Sequence, residues 1–309
     1  MEKFIYGLLS HKTGNVGNEI QSVATLQFLP RVDLRLDAGT LNKVKSKNKI
    51  RIIMNGWFSH EPHNWPPSDI IDPLFLSFHI AQCAVENFTS PKSIDYFKKH
   101  EPIGCRDTHT QKILEDKGVQ AYFSGCLTLT LKKPSVDKHN NIVIADLEKE
   151  AEKVLPKEIR DHSIYTNHWG YSQYTKKASA LIPHPLKSFI RKLGLNTLSW
   201  FFLNKIQEGD KFKKARELLK TYAGAKLVVT SRLHCALPCL AFGTPVIFVY
   251  KDLNDPRFGG LLDYLRAYST EDFKKNIHEI NWENPLPNPR DITPLQEALR
   301  KTCENFINN

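Results

Sequence analysis

Residues 226–250 read KLVVTSRLHCALPCLAFGTPVIFVY. The stretch opens as an apolar, β-branched run of the kind that lies buried in a parallel sheet. It breaks at Thr230-Ser231-Arg232-Leu233-His234, and a short helix-like piece then runs to Phe242-Gly243-Thr244-Pro245. A buried strand that feeds a helix and delivers an arginine and a histidine at its end is the signature of an α/β sheet with chemistry at its carboxyl edge. Ser231 reads as a helix cap, with His234 in the first turn. Backbone N–H groups there attract anions, and Arg232 adds a forked donor suited to carboxylate or phosphate. Histidine near neutral pH gives or takes a proton. Pro238 leaves the carbonyl four residues back, that of His234, without its helical partner. A paired arginine and a satisfied core histidine would be the bland account of the same residues.

The pattern repeats outward. Residues 3–9 (KFIYGLL) read as a strand leading into Thr13-Gly14-Asn15-Val16-Gly17-Asn18-Glu19 and a helix through QSVATLQFL. That turn suits a phosphate or a sugar, though no GKS/T closes it as a P-loop; a plain turn using glycine for positive φ is the other reading. Residues 48–54 (NKIRIIM) form a strand that stops at Asn55-Gly56-Trp57, and residues 73–80 are a further apolar run. In PIGCRDTHTQKILEDKG a strand ends at Arg106, and a helix begins near Asp107 and closes at Gly118. AYFSGCLTLTL (121–131) reads as another strand, and the polar LKKPSVDKHNN (131–141) as a linker. NIVIADL restarts the strands, a long helix is expected near 203–223, and Thr293 to Ile307 reads as a closing amphipathic helix. Residues 186–206 mix basic and bulky aromatic residues, as either a surface-seeking segment or a helix pair packed on the sheet. The expectation is two α/β, Rossmann-like domains with mostly parallel sheets, over residues 1–133 and 134–309. Asn55, Arg106 and Arg232 then all lie at the carboxyl ends of strands, where ligands gather.

The chain has 309 residues and a formal charge of +10, which favours an anionic partner: a phosphorylated small substrate, nucleic acid or a membrane surface. No nucleic-acid motif accompanies the charge, so nucleic acid is not expected. Six cysteines (Cys83, Cys105, Cys126, Cys235, Cys239, Cys303) form no CxxC pair and suit a reducing compartment without disulfides. His60 and His63 lack a third ligand, so no metal site is expected. No run reaches the ~18 apolar residues of a membrane span, and the N-terminus reads as a strand rather than a leader. A soluble, cytoplasmic protein is expected, with its basic surface also suited to contact at the inner face of a membrane.

Three blocks together, NVGNEIQSVATLQFL, GCRDTHTQKILEDKG and VVTSRLHCALPCLAFGTPVIFV, resemble the polysaccharide pyruvyl transferase family in order and spacing, from about residue 12 to 265. The resemblance implies two Rossmann-like domains facing a cleft, similar to GT-B glycosyltransferases. It implies transfer of pyruvate from phosphoenolpyruvate to a sugar diol as a ketal, with phosphate released and no cofactor. By motif, Arg232 and Ser231 would hold phosphoenolpyruvate, Arg106 would be the family's mid-chain arginine, and His234 the catalytic acid or base. The acceptor, a glycan or lipid-linked sugar, would face Asn15, Asn18, Asn55, Trp57 and His168. The chain departs from the family's Gly-Asp with Gly17-Asn18, followed by Glu19. A GT-B glycosyltransferase using a nucleotide sugar, and a noncatalytic protein that keeps the scaffold, stand as rivals, since fold alone does not decide.

Overall fold

The computed structural model describes residues 4–169 and 196–309, with the backbone alone for 196–208. The basic and aromatic segment at 186–206 therefore falls outside the described residues up to 195, and its remainder is helical backbone.

Eleven strands form two sheets among the described residues. The first holds β1 (Ile5–Ser10), β2 (Leu34–Asp37), β3 (Ile50–Trp57), β4 (Ile71–His79), β5 (Ile103–Cys105) and β6 (Ala121–Phe123), in the order β2-β1-β3-β4-β5-β6. The second holds β7 (Ile142–Ala145), β8 (Ile164–Thr166), β9 (Leu227–Thr230), β10 (Val246–Tyr250) and β11 (Arg266–Ser269), in the order β11-β10-β9-β7-β8. Every pairing is parallel. Counted from its own first strand, each sheet begins second, first, third, fourth, fifth. This is the doubly wound order, whose switch point lies between the first and third strands. The runs Ile50–Met54, Ile142–Ala145 and Leu227–Thr230 are buried along almost their whole length, as central strands covered by helices on both faces must be.

The helices are α1 (Gly17–Leu26), α2 (Val85–Phe88), α3 (Pro91–Lys98), α4 (Thr108–Glu115), α5 (Lys149–Lys153), α6 (Lys157–His162), α7 (Asn196–Gly224), α8 (Leu233–Phe242), α9 (Thr270–Asn276) and α10 (Thr293–Asn308). One apolar cluster runs across both halves. It joins Val16 and Ile20 of the first to Leu219, Tyr222, Cys235 and Leu237 of the second, so α1, α7 and α8 pack as one layer. Buried Lys211 of α7 reinforces the joint: its ammonium meets Glu19 at 2.8 Å and donates to the carbonyl of His11. The last helix, α10, returns to the first half, where Gln296 and Arg300 donate to the carbonyls of Leu129 and Thr130. Arg51 in turn donates to the carbonyl of Phe306.

Two expectations change. The strand read into residues 121–131 ends at Phe123; Gly125 turns the chain at φ +70° and Leu127–Thr130 coil into a 3-10 turn. The carbonyls this leaves outside a sheet are those that α10 supplies with donors, a partner no local pattern announces. β3 does not stop at Asn55 but runs to Trp57, with a register shift between Met54 and Gly56.

Candidate functional site

The carboxyl ends of the strands in both sheets border one cavity of about 130 Å³. Its wall includes Asn15, Gly17 and Asn18 after β1, Trp57 at the end of β3, Arg106 after β5, His168 after β8, Ser231 to His234 after β9, and Tyr250, Arg257 and Phe258 at and beyond the end of β10. Eight of the nine residues expected at the site thus meet. Asn55 does not: it is buried, its side-chain oxygen accepts from Thr25 Oγ1 at 2.9 Å, and its amide donates to the carbonyl of Gln21 at 3.0 Å. Both ends of that amide tie β3 to α1, and the cavity lies elsewhere.

The turns after β1 and β9 meet face to face. α1 begins at Gly17 and α8 at Leu233, so two ten-residue helices turn their N-termini on the same space, and each carries partial positive charge there. A side chain at Gly17 would meet Asn15 Oδ1 at 3.0 Å and the His234 ring at 3.2 Å, so glycine permits the approach. Asn15 Oδ1 accepts from the Gly17 amide, and Asn18 Nδ2 donates to Thr13 Oγ1. Glu19 faces Lys211 rather than the cavity. Ser231 is not the helix cap. Arg232 occupies the capping position with extended backbone, Thr230 Oγ1 accepts from the Arg232 amide, and Ser231 Oγ accepts from Glu148 N at 3.0 Å.

Arg232 is held by Asp146, whose carboxylate lies 3.3 Å from its Nε, and its guanidinium lies over the Trp169 ring, 5.1 Å from the centroid. Asp146 sits just past β7 at φ +43°, a backbone region few non-glycine residues adopt. The same carboxylate accepts from the His168 backbone N–H at 2.8 Å and from its Nδ1 at 3.0 Å. That fixes the His168 tautomer and leaves Nε2 to accept from the Tyr222 hydroxyl at 3.4 Å. Burial opposes ionisation of Asp146, but the His168 hydrogen bonds and the Arg232 charge hold its carboxyl below the usual range. Burial outweighs Asp146 at His168 and keeps that imidazole neutral.

His234 is different. Its Nε2 has no partner among the described residues. Burial first, then Arg106 and the histidines around it, hold its pKa well below the usual value. Arg106 is itself buried, 3.7 Å from Asp107, and Asp107 caps α4 by accepting from Thr110 N. Arg257 is braced by Asp255, which accepts from Nε and Nη2, and by the Tyr250 hydroxyl at 2.8 Å. Gly259 and Gly260 seat that turn: a side chain at Gly259 would strike Thr108 at 2.4 Å, and one at Gly260 would strike Phe123 at 2.8 Å. Arg257, Tyr250 and Asp146 were not read from the sequence. Arg257 carried one usable signal, the Asp-Pro-Arg-Phe-Gly-Gly turn at a strand end.

Every carboxylate named here is matched by a cation or imidazole, whereas three guanidinium groups and two neutral imidazoles border the open space. Among the described residues no group of three His, Cys, Asp or Glu is placed to hold a metal ion, and no helix is long and apolar enough to cross a membrane.

Among solved structures, the chain is similar to an uncharacterised protein from Klebsiella pneumoniae at 14% identity and TM-score 0.48, covering 87% of this chain and 92% of that one. It is also similar to the UDP-GlcNAc 2-epimerase of Methanocaldococcus jannaschii at 12% identity and TM-score 0.46, covering 97% and 99%. No curated protein matches the sequence. A family model described as polysaccharide pyruvyl transferase matches residues 15–252, from the turn after β1 to just past β10.

Proposed function

We propose that this chain, which belongs to the polysaccharide pyruvyl transferase family, transfers pyruvate from phosphoenolpyruvate to two hydroxyls of a sugar, forming a cyclic ketal and releasing phosphate. The observation that supports this donor is the cavity wall: Arg106, Arg232 and Arg257 with two helix N-termini around one small space. Guanidinium groups match carboxylate and phosphate oxygens in pairs, and a donor with one of each uses such a wall fully.

The reaction is a balance of two protons. Each hydroxyl of the diol gives up one; one proton turns the methylene carbon of phosphoenolpyruvate into a methyl group, and the other leaves with phosphate. His234 is neutral in the free protein and takes a proton from the first hydroxyl as its oxygen bonds to the central carbon; the electron pair of the carbon–carbon double bond then takes that proton from the ring at the methylene carbon, which becomes the methyl group. A multiply negative donor against the ring raises its pKa, so the imidazolium formed is stabilised beside the bound anion. The arginines, each braced in place by a carboxylate, meet the charge that develops as the phosphate departs. Ser231 and Arg232 serve the donor. Asn15, Asn18, Trp57 and His168 face the acceptor, and His168 acts as a fixed wall because both its nitrogens are engaged. Asn55 has no part in binding.

The test is made in the native host. Deleting the gene should remove the methyl signal of pyruvate ketals from the proton NMR spectrum of its glycans, and restoring it should bring the signal back. Glycans that never carry a ketal, or carry it equally without the gene, would overturn the proposal.

A further inference from the structure

His79 ends β4 beside this cavity, and nothing so far uses it. Its Nδ1 lies 2.6 Å from Asp107 Oδ2. Asp107 is fixed in turn, since its other oxygen accepts from Thr110 N at 2.8 Å. The pair sets the tautomer: Nδ1 carries the proton and Nε2 keeps the lone pair. Only 1% of His79 is exposed, yet Nε2 has no partner among the described residues. A histidine kept only for packing gains nothing from an unpaired buried nitrogen, which is costly to leave without a partner. The residue borders a second, open cleft of about 500 Å³. That cleft shares Trp57, Tyr250 and Arg257 with the inner cavity, and the Trp57 and His79 rings lie 5.3 Å apart. The inner space suits a small donor, and the outer cleft has room for a sugar.

We propose that His79, held by Asp107, is a second proton-transfer residue that works at Nε2 on an acceptor hydroxyl lying in the outer cleft. The inference rests on the ketal-forming reading above. One imidazole holds one proton at a time, and ketal formation draws two from the acceptor. In the step assigned to His79, the bond from the central carbon to the phosphate oxygen has broken. The O–H bond of the second hydroxyl then breaks, its electron pair forms the second C–O bond, and its proton passes to Nε2 and on to the departing phosphate. Arg106 from the turn after β5 and Arg257 from the turn after β10 face the ring with Asp107, while Trp57 and Thr110 complete its surroundings. Burial and the Arg106 charge lower its pKa to about 4 against the pull of Asp107, so it waits unprotonated.

The discriminating variant is His79→Asn. An asparagine amide nitrogen takes the place of Nδ1 and keeps the bond to Asp107, but offers nothing at Nε2; His79→Gln reaches the Nε2 position without a basic lone pair. Each is placed on the host chromosome and also purified. The purified proteins are assayed with phosphoenolpyruvate and the glycan fraction of the deletion strain, which lacks the ketal. At pH 7.5 we expect His79→Asn to match the wild type in melting temperature and in donor KM, to lose at least about 100-fold in kcat, and to lower the ketal content of the host glycans. Wild-type turnover in His79→Asn would overturn the inference while leaving the ketal reading standing. Host glycans without ketals in the wild type itself would sink both.

Discussion

Set beside one another, the turns after β1 and β9 occupy the two halves of one cavity and differ in almost every chemical respect. The first turns neutral amide side chains to the cavity, each with a local partner: Asn15 accepts from Gly17, and Asn18 donates to Thr13. The second is ionic and leans on distant residues. Arg232 is held by Asp146 across the sheet, and His234 is left with an open nitrogen. Both feed a helix of ten residues at a parallel strand's carboxyl end. Under the proposed reaction, shared topology sets where the ligand would sit, while the side chains at the two turns would divide the work of holding charge and moving protons.

Removing the proton carrier from the ionic turn should have the largest effect. We expect His234→Ala to lower kcat by about 10²–10⁴-fold with donor affinity within a few-fold of the wild type, checked by phosphate release. The anion holder comes next. Arg232→Ala should weaken phosphoenolpyruvate by about 10–100-fold, as loss of one charge-assisted contact implies, and Asp146→Asn should do part of the same by freeing the guanidinium.

Away from the cavity the expected loss is of another kind. Asn55→Ala should cost about 1–3 kcal/mol of stability, because Thr25 and Gln21 lose buried partners, with donor affinity unchanged by calorimetry. Equal loss of affinity in Asn55→Ala and Arg232→Ala would contradict the placing of Asn55 outside the cavity.

The smallest effect concerns pH. Burial holds His79 at about 4 and His11 at about 3, against 6.5 in an unfolded chain. Between those values the unfolded chain binds more protons, so stability is lost as pH falls. A melting curve should slope downward from about pH 6.5 toward 4, and His79→Asn should flatten it by about 1 kcal/mol near pH 5.5.

Much of this was open to reading in the chain itself. Apolar runs such as LVVT and IRIIM alternating with helical spacing marked two parallel α/β halves, and strand ends followed by Arg106 or Ser231-Arg232-Leu233-His234 marked residues that line the cavity. The misreadings share a cause. Asn55 sits at a strand end as a ligand-binding residue would, yet a helix thirty residues earlier in the chain claims its amide. CLTLTL alternates as a strand does, but partners from α10 take its carbonyls. Asp146 lies in an unremarkable IADL and gains its place from a left-handed backbone and from His168 and Arg232. His79 depends on Asp107 in the same way. Pairings made across the fold leave no local trace, whereas strand ends and turns do.

The most direct test of the central claim is a calorimetric titration of phosphoenolpyruvate into the wild type, Arg232→Ala and His234→Ala, with a nucleotide sugar as the control ligand. We expect one donor site in the wild type, the same site in His234→Ala, its loss or strong weakening in Arg232→Ala, and no response to the nucleotide sugar. Binding of the nucleotide sugar in place of phosphoenolpyruvate, or a donor site indifferent to Arg232, would contradict the account.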